Sequence, residues 1–295
     1  MIIYGTKIIS DIKFKTKLFE NGDYIHTIKL SSDIPYKIKD QLLCGTYLHT
    51  THKHKIYLYT NHDLKKEFQH KEPICYEIEN KLRFYWYFGT FEIHYELLNI
   101  SQKEFEFWFI HTFLSFFLSI EKHFVLLHGS AIEIKNKAIL FLAPYKSGKS
   151  TLTYYMTQQH EHKLITDDIL PTFIQNNQII AVPSHPHSRP HRGFWKLGYH
   201  IKQTTSKFKP LSSVYILDNT NTNITTIKEI KGIEKFILTK KNSVIYTLPN
   251  IKLDHEKYLG KILNTIPFFK INRPWGKKYI PQTYDAILKH QQTQN

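Results

Sequence analysis

The chain has 295 residues, of which 41% are hydrophobic and 15% aromatic, a composition typical of a globular protein with one large domain or two smaller ones. Its 40 Lys and Arg residues against 25 Asp and Glu residues give a formal net charge of +15. Two cysteines, Cys44 and Cys75, have no metal-binding spacing and are too few for a disulfide framework, which favours a reducing compartment. The N-terminus has no pattern of an export signal, and we expect a cytoplasmic protein.

The positive charge is compatible with a nucleic acid or an acidic substrate as partner. However, the Lys and Arg residues are spread along the chain, and Lys, Ile, Asn, Tyr and Phe are abundant together, as in proteins encoded by an AT-rich genome. We therefore expect no dedicated nucleic-acid partner. The basic surface is expected to help hold a nucleotide and an acidic peptide.

The first hundred residues are predicted to be rich in β-structure. Short runs that alternate or group apolar residues lie between Asn, Asp and Gly turns, at residues 24–30, 55–60, 82–88 and 91–95. No catalytic motif occurs in this part. We predict a β-rich N-terminal domain over residues 1–120.

An aromatic segment at residues 105–120 ends this domain. It contains Glu106 and His111 and is shorter than the roughly 20 apolar residues that a membrane span needs. Because Ser101 and Glu104 fit a capping box, the segment predicts a buried helix that starts near residue 102. No membrane partner is expected.

A phosphate-loop signature follows in the middle of the chain. Residues 124–134 and 138–142 are apolar runs joined by a Lys-Asn-Lys turn, which predicts a hairpin whose second strand leads into the loop. The loop matches the Walker A pattern G-x-x-x-x-G-K-[ST] at every fixed position except the first. In that pattern, backbone amides surround the phosphates, the Lys neutralises them and the hydroxyl ligates magnesium. We predict that ATP and Mg²⁺ are bound by Ala143, Pro144, Tyr145, Lys146, Ser147, Gly148, Lys149, Ser150 and Thr151.

Two acids end the next predicted strand, residues 163–170. Asp167 and Asp168 stand where a carboxylate that handles magnesium or acts as a base is needed. The alternative, a turn or a helix cap, is disfavoured by the interval that separates the pair from the phosphate loop. Further strands are predicted at 179–183, 214–218, 224–230 and 268–272, helices at 232–238 and 252–264, and a frayed tail at 290–295.

Three segments in this order resemble the HPr kinase/phosphorylase family: Leu127-His-Gly-Ser-Ala131, the phosphate loop and Leu164-Ile-Thr-Asp-Asp168. The predicted hairpin supports the resemblance, since in the ordinary phosphate-loop fold the strand of the loop is the first of a parallel sheet. The resemblance runs to about residue 285. It implies an α/β fold in which a mixed-sheet phosphate-loop domain, shared by HPr kinase and phosphoenolpyruvate carboxykinase, occupies residues 121–295 beside the β-rich N-terminal domain.

The segment Tyr4-Gly-Thr-Lys-Ile-Ile-Ser-Asp11 is similar to shorter relatives that accompany peptide-modification clusters. The resemblance therefore implies an ATP-dependent kinase that transfers the γ-phosphate to a Ser or Thr hydroxyl of a precursor peptide or small protein. Thr151 stands where regulatory HPr enzymes carry Glu, which argues against HPr itself as the substrate.

The resemblance also implies roles for individual residues. Lys149 would bind the β and γ phosphates while Ser150 holds the metal. One acid would accept the proton of the attacking hydroxyl and the other would bind the metal, because adjacent strand residues point to opposite faces. We assign the base to Asp167 and the metal ligand to Asp168. His128 would steady charge or move a proton near the transferred phosphate, its alternative being a hydrogen-bonded strand histidine.

The loop departs from the family pattern, because Ala143 and Lys146 stand where the family has Gly. Lys146 is expected to adopt a left-handed conformation, which costs a residue other than Gly about 1 kcal/mol. The lost glycines favour a second hypothesis, a catalytically weak or inactive nucleotide-binding scaffold in a peptide-processing complex. The retained acids with Ser150 favour the enzyme. A hydrolase or motor is disfavoured, since no arginine-finger or coupling motif is recognisable.

A basic, Pro-rich segment lies at residues 184–195. Its histidines, His185, His187 and His191, have no recognised zinc spacing with Cys, and we expect no metal there. Arg189 and Arg192 are predicted to contact phosphate or the acidic part of a peptide, with a plain surface loop as the alternative. The sequence leaves the formation of a homo-oligomer open.

Overall fold

The structure is a computed structural model that describes residues 1–144, 146–159, 161–189, 197–243 and 249–294. The chain divides into two compact units, with a boundary between His123 and Phe124. The first unit contains Met1–His123 and the second contains most of the remaining chain. Within the described residues, no helix is long and apolar enough to cross a membrane.

A mixed sheet of eight strands forms the first unit, in the order β1-β2-β3-β8-β7-β6-β5-β4. Strand β3 pairs in parallel with β2 and β8, and the other pairs are antiparallel. Four predicted runs are confirmed as β3, β5, β7 and β8. The strands are β1 (Ile2–Ile3), β2 (Thr6–Ser10), β3 (His26–Ser31), β4 (Cys44–Thr51), β5 (His54–Thr60), β6 (Pro73–Ile78), β7 (Leu82–Tyr87) and β8 (Glu92–Leu97).

The predicted aromatic helix is confirmed. After a short helix α1 (Tyr36–Asp40), the chain forms α2 (Gln102–Trp108), a π-helical stretch (Phe109–Phe113) and α3 (Leu114–Ile120) without a break. Ser101 and Glu104 form the capping box at the start of α2. The segment is buried in the first unit, where the Phe113 ring stacks on that of Phe84 at 3.8 Å between centroids. The aromatic run thus supplies a protein core.

The second unit is built on another mixed sheet, in the order β12-β10-β11-β17-β14-β13-β9, with β19 beside β17 and β18 beside β19. The strands of the second unit are β9 (Val125–His128), β10 (Ser130–Ile134), β11 (Lys137–Leu142), β12 (Lys163–Thr166), β13 (Ile169–Gln175), β14 (Gln178–Ala181), β15 (His187–Ser188), β16 (Tyr199–His200), β17 (Lys209–Thr220), β18 (Thr226–Ile230) and β19 (Phe268–Pro274). In the described part of the chain, β15 and β16 pair only with each other. The helices of the second unit are α4 (Lys149–Thr157), α5 (Ile233–Lys241), α6 (Pro249–Thr265), which belongs to this unit from His255 onwards, and α7 (Ile280–Thr293), with a 3-10 turn at Lys277–Tyr279.

The hairpin predicted before the phosphate loop is present. Strands β10 and β11 pair in antiparallel fashion, and Lys135 and Asn136 form a two-residue turn with φ of 48° and 64°. On its other side, β11 pairs in parallel with β17, which pairs in parallel with β19. The strand that leads into the loop therefore has one antiparallel and one parallel neighbour, and the protein is a mixed α/β structure.

Helices cover both faces of this sheet because successive side chains of a strand point to opposite sides. On one face, Phe141 packs in a cluster with Leu152 of α4 and Ile287 of α7. On the other face, Leu140 packs in a cluster with Leu259 of α6. The strand and the helix that flank the phosphate loop are thus both anchored in the core.

The C-terminal segment corrects one expectation. A frayed tail is wrong for the described residues from 290 onwards, because α7 continues to Thr293. His290 lies against the Phe269 ring at 4.3 Å and hydrogen-bonds the Tyr215 hydroxyl at 2.7 Å. These contacts attach the last turns of the helix to the sheet.

Charge is divided unevenly between the two parts of the sequence. Residues 1–123 contain 16 Lys and Arg against 15 Asp and Glu, a net charge of +1, whereas residues 124–295 contain 24 against 10, a net charge of +14. The positive residues themselves are spread along the chain, as expected, and the difference in net charge comes from the acidic residues, of which 15 lie in residues 1–123 and 10 in residues 124–295. Almost the whole excess belongs to the part that contains the phosphate loop.

Candidate active site

The phosphate loop connects the end of β11 to the first turn of α4. Gly148, directly before the helix, has φ of 84°, and a Cβ at this position would lie 2.8 Å from Nη2 of Arg273. Lys146 has φ of 63°, as expected from the sequence, in the region where a side chain costs about 1 kcal/mol. The loop directs the N-terminus of α4 towards the position that phosphates take in such loops. Tyr145 lies outside the described residues.

Lys149 folds back onto the loop. Its side chain is buried, and Nζ donates to the carbonyl oxygens of Ala143 at 2.6 Å and Pro144 at 3.4 Å. The Ser147 hydroxyl donates to the same Pro144 oxygen at 2.5 Å. These bonds join the two ends of the loop and keep the Lys149 ammonium, the group that neutralises phosphates in this pattern, against the loop.

Arg273, which sequence reasoning missed, supports the loop from β19. It is 4% exposed, its Nη2 donates to the Ser147 carbonyl at 2.7 Å, and its Nε donates to Oδ1 of Asn219 at 3.1 Å. Burial lowers the pKa of Arg273 to about 10, so the guanidinium remains charged at neutral pH. The sequence could have identified Arg273 from its place at the carboxyl end of a predicted strand. The carboxyl ends of parallel strands lie at the same edge of a sheet, where ligands bind.

The two acids lie between β12 and β13. Asp167 is 6% exposed, and its carboxylate accepts hydrogen bonds from the Arg189 amide at 2.6 Å and from the Ser130 hydroxyl at 3.1 Å. The Thr153 hydroxyl of α4 donates to the same carboxylate at 3.4 Å, and the nearby Ser150 side chain helps to lower its pKa. Burial is the main cause that raises the pKa of Asp167, and the negative charge of Asp168 raises this pKa further. The hydrogen bonds have the opposite, lowering effect. The Asp167 carboxylate is therefore held against the first turns of α4, beside the phosphate loop.

Asp168 points to the more accessible side of the same turn. Its Oδ1 lies 3.3 Å from Nε2 of His128, and its Oδ2 lies 2.5 Å from Nη2 of Arg189. The Asp168 side chain is 20% exposed and that of His128 is 38% exposed, so an external group can approach both. The structure brings together four predicted site residues here, and it gives the acids different surroundings.

Gly129 explains the His-Gly sequence that precedes the hairpin. The residue separates β9 from β10, and its amide donates to the Asp168 carbonyl at 2.9 Å. A Cβ at this position would lie 2.6 Å from the Phe141 carbonyl oxygen, a distance that atoms in proteins do not tolerate. Glycine thus lets His128 and Asp168 meet beside the strand that leads into the phosphate loop.

The side chains of the site include oxygen donors of the kind that bind a magnesium ion. Ser150 and Asp167 supply neighbouring oxygen donors, which are the ligands that Mg²⁺ prefers. No group of three His, Cys, Asp or Glu side chains in the described part of the chain is arranged to hold a metal by itself. Because Mg²⁺ is usually bound by one or two carboxylates together with substrate phosphates, these donors fit an ion that binds with a nucleotide.

Other residues singled out from the sequence lie elsewhere or are not described. His185 and His187 are buried, and burial lowers the pKa of His187 to about 4, which keeps it neutral at physiological pH. His191 and Arg192 lie outside the described residues. Arg189 contacts both acids, through its amide and its guanidinium. Its contact with phosphate or an acidic peptide remains a prediction.

No model of a protein family matches this chain, and no curated protein sequence matches it significantly. Among solved structures, the Hpr(Ser) kinase/phosphatase from Coxiella burnetii is similar with a TM-score of 0.38 and 13% sequence identity. The matched region covers 57% of this chain and 97% of that protein. A likeness of this degree establishes neither a common fold nor a common activity.

Proposed function

We propose that the protein is an ATP- and Mg²⁺-dependent kinase that phosphorylates a Ser or Thr hydroxyl of a peptide or small protein. The observation that carries this proposal is the position of Asp167, Asp168 and His128 beside α4, the helix that begins at Lys149 and Ser150 of the phosphate loop. Phosphoryl transfer needs little more from a protein than positioned phosphates, a metal site and a group that accepts the hydroxyl proton. Each of these requirements has a residue in this cluster.

The contacts favour a division of roles opposite to the one expected from the sequence. Asp167 is buried and its carboxylate accepts hydrogen bonds from Ser130, Thr153 and the Arg189 amide, with Ser150 close by. Asp168 is accessible beside His128. We therefore assign Asp167 to the metal side with Ser150 and Asp168 to the acceptor side as the base.

In the proposed reaction, the acceptor hydroxyl oxygen attacks the γ-phosphorus of ATP. A bond forms between this oxygen and phosphorus, the bond between the γ-phosphorus and the β–γ bridging oxygen breaks, and ADP leaves. Asp168 takes the hydroxyl proton, and His128 at 3.3 Å stabilises the carboxylate or receives the proton from it. Mg²⁺ bound with the nucleotide would neutralise charge on the phosphates, and Lys149 would do the same from the loop.

A peptide or small protein is the proposed acceptor, because the accessible side of Asp168 and His128 can receive a residue on a flexible chain. The net charge of +14 on residues 124–295 would favour an acidic segment around the acceptor hydroxyl. Because Thr151 stands where regulatory HPr enzymes carry Glu, HPr itself is not the proposed acceptor. ATP as donor agrees with a cytoplasmic location.

The proposal is tested by incubating the purified chain with γ-labelled ATP, Mg²⁺ and Ser- or Thr-containing peptides, including any encoded beside its gene. We expect phosphopeptide that is lost in Lys149→Ala. Lys231→Ala removes an exposed lysine of the same unit and serves as the matched control that keeps activity. Nucleotide binding by the wild-type chain without transfer to any acceptor would reject the kinase.

A nucleotide-binding scaffold with weak or no turnover is the second candidate. It is favoured by the left-handed Lys146 in a position where the resembling family has Gly, and by Arg189, which bridges both acids. In a scaffold, Asp168→Asn would change neither nucleotide affinity nor any transfer rate. In a kinase, the same substitution removes the transfer.

A further inference from the structure

A cavity of about 490 Å³ lies beside the phosphate loop in the second unit. This volume is within the range of small-molecule sites. One wall is a single face of α4, because its residues are three or four positions apart. The wall consists of Thr151, Tyr154, Tyr155 and Gln158, and the cavity is also lined by Tyr199, Lys277 and Ile280.

The position of the cavity relates it to the phosphate loop. Thr151 directly follows Ser150 and belongs both to the predicted phosphate site and to the cavity wall. Lys277 follows the carboxyl end of β19, which is parallel to β17 and, through it, to β11. Ligands of open α/β sheets bind at the carboxyl ends of parallel strands. A molecule whose phosphates occupy the loop can therefore reach this cavity at Thr151.

The side chains of the cavity suit an aromatic base and a sugar. Tyr154 is 37% exposed and Tyr199 is 58% exposed, so that their rings are available to a ligand. Stacking on aromatic side chains contributes about 1–3 kcal/mol per base and does not depend on the identity of the base. Gln158 has an amide that can both donate and accept, and Lys277 adds a positive charge at the rim.

We propose that this cavity binds the base and ribose of the donor nucleotide, with Tyr154 and Tyr199 as the stacking residues. The inference rests on the proposed nucleotide-dependent function and adds to it the place and the chemistry of nucleoside recognition. It also implies that the bound nucleotide lies along α4, with its phosphates at the loop and its base and ribose in the cavity. Neither the loop motif nor the acids give this direction.

The experiment compares the binding of MgATP with that of magnesium tripolyphosphate, which has three linked phosphates and no nucleoside. Titration calorimetry is performed on the wild-type chain and on a Tyr154→Ala/Tyr199→Ala double variant. We expect about tenfold weaker MgATP binding in the double variant, with tripolyphosphate affinity unchanged within twofold. A Tyr154→Phe/Tyr199→Phe variant, which keeps the rings, should bind MgATP like the wild type. Tyr36→Ala, at a tyrosine 84% exposed in the first unit, is the control for loss of a surface ring.

Three outcomes would overturn the inference. Unchanged MgATP affinity in the alanine variant would exclude stacking in this cavity. An equal loss for MgATP and tripolyphosphate would mean that the tyrosines support the loop only. A higher KM for the peptide acceptor with unchanged MgATP affinity would assign the cavity to the acceptor. If the wild-type chain binds neither MgATP nor tripolyphosphate, the proposed function fails first and the inference with it.

Discussion

The two units of this protein bury ionisable groups in different ways. In the first unit, Glu106 accepts from the backbone amides of Lys15 and Thr16, and Glu121 accepts from Trp86 and the Gly89 amide. Both of these acids are satisfied by backbone amides and a tryptophan of the same unit. In the second unit, two acids, a histidine and an arginine contact one another beside the phosphate loop. A buried acid is therefore weak evidence for a functional site. Convergence of ionisable groups is also weak evidence by itself, since Arg83 joins Glu77 and Glu96 in the first unit, and it becomes stronger evidence beside a phosphate-loop motif.

The charges follow the same division. A net charge of +1 on residues 1–123 gives no reason to expect an anionic ligand, while +14 on residues 124–295 raises the local concentration of anions around the loop. Substitutions in each unit test this contrast.

The largest effect is expected at the two acids of the second unit. Asp168→Asn should lower kcat about 10³-fold because the hydroxyl proton loses its acceptor, and it should also lower the melting temperature, since the Arg189 guanidinium loses its ion-pair partner. Asp167→Asn should instead raise the Mg²⁺ concentration needed for half-maximal activity. It should also raise the melting temperature at neutral pH, because it removes a charge whose burial is unfavourable.

Steady-state kinetics over a series of Mg²⁺ concentrations, with scanning calorimetry, separate the two acids. The reverse result, in which Asp167→Asn loses kcat at saturating Mg²⁺ and Asp168→Asn responds to the metal, would restore the roles expected from the sequence. Similar substitutions at Glu106 or Glu121 should leave the Mg²⁺ dependence unchanged.

A steric substitution in the second unit is expected to have the next largest effect. Gly129→Ala should destabilise the protein by about 3 kcal/mol, because the new Cβ would meet a backbone oxygen at 2.6 Å and two leucine side chains at 2.7 and 2.8 Å. Gly260→Ala is the matched control, since it lies within α6 and a Cβ there meets nothing within 4 Å. That substitution should stabilise by up to about 1 kcal/mol. Urea denaturation measures both, and equal stability of the two variants would contradict this account of the His-Gly sequence.

Much of the second unit could be predicted from local sequence. The hairpin before the loop followed from a Lys-Asn-Lys turn between apolar runs, and the left-handed Lys146 followed from its place in the loop pattern. Both features depend on residues within a few positions of one another. The capping box of the aromatic helix was predictable for the same reason.

The remaining parts of the site depend on contacts between residues far apart in sequence. Arg273 reaches Ser147 only because β19 lies two strands away from β11 through parallel pairing, which no local pattern specifies. The different surroundings of Asp167 and Asp168 depend on Ser130 and Arg189, which come from other elements. Sequence alone identified the pair but could not tell which acid faces the loop.

A pH-dependent effect is expected in the first unit. Burial raises the pKa of Glu121 from 4.5 to about 7, so that between these values the folded state is protonated while the unfolded state is not. Stability should therefore fall by about 3 kcal/mol as the pH rises through this window. His123, two residues further along the chain, has the opposite effect on the pH dependence of stability. Burial lowers its pKa to about 4, so the stability of the folded state rises as the pH increases towards 6.5.

Glu121→Gln separates the two contributions. Urea denaturation from pH 4.5 to 7.5 should show that the wild type loses stability with rising pH relative to the variant. Above pH 7.5 the difference should be constant, and a constant difference over the whole range would mean that Glu121 is ionised throughout. Phosphate-loop residues should not alter this profile, since they belong to the other unit.

The smallest effect is expected at Arg273, and it tests whether the position of a charge matters more than the total charge. Arg273→Gln should weaken MgATP binding about tenfold, because it removes one buried positive charge and the Nη2 bond to Ser147 from the loop. Arg83→Gln, at an arginine paired with Glu77 in the first unit, changes the net charge by the same amount and should leave the MgATP affinity unchanged. Calorimetric titrations of both variants at low and high salt make the comparison. If both variants weaken binding equally and the loss disappears at high salt, the general field of the protein attracts the nucleotide. If only Arg273→Gln weakens it and part of the loss remains at high salt, the nucleotide depends on the geometry of the loop, because buried charges are screened much less than exposed ones.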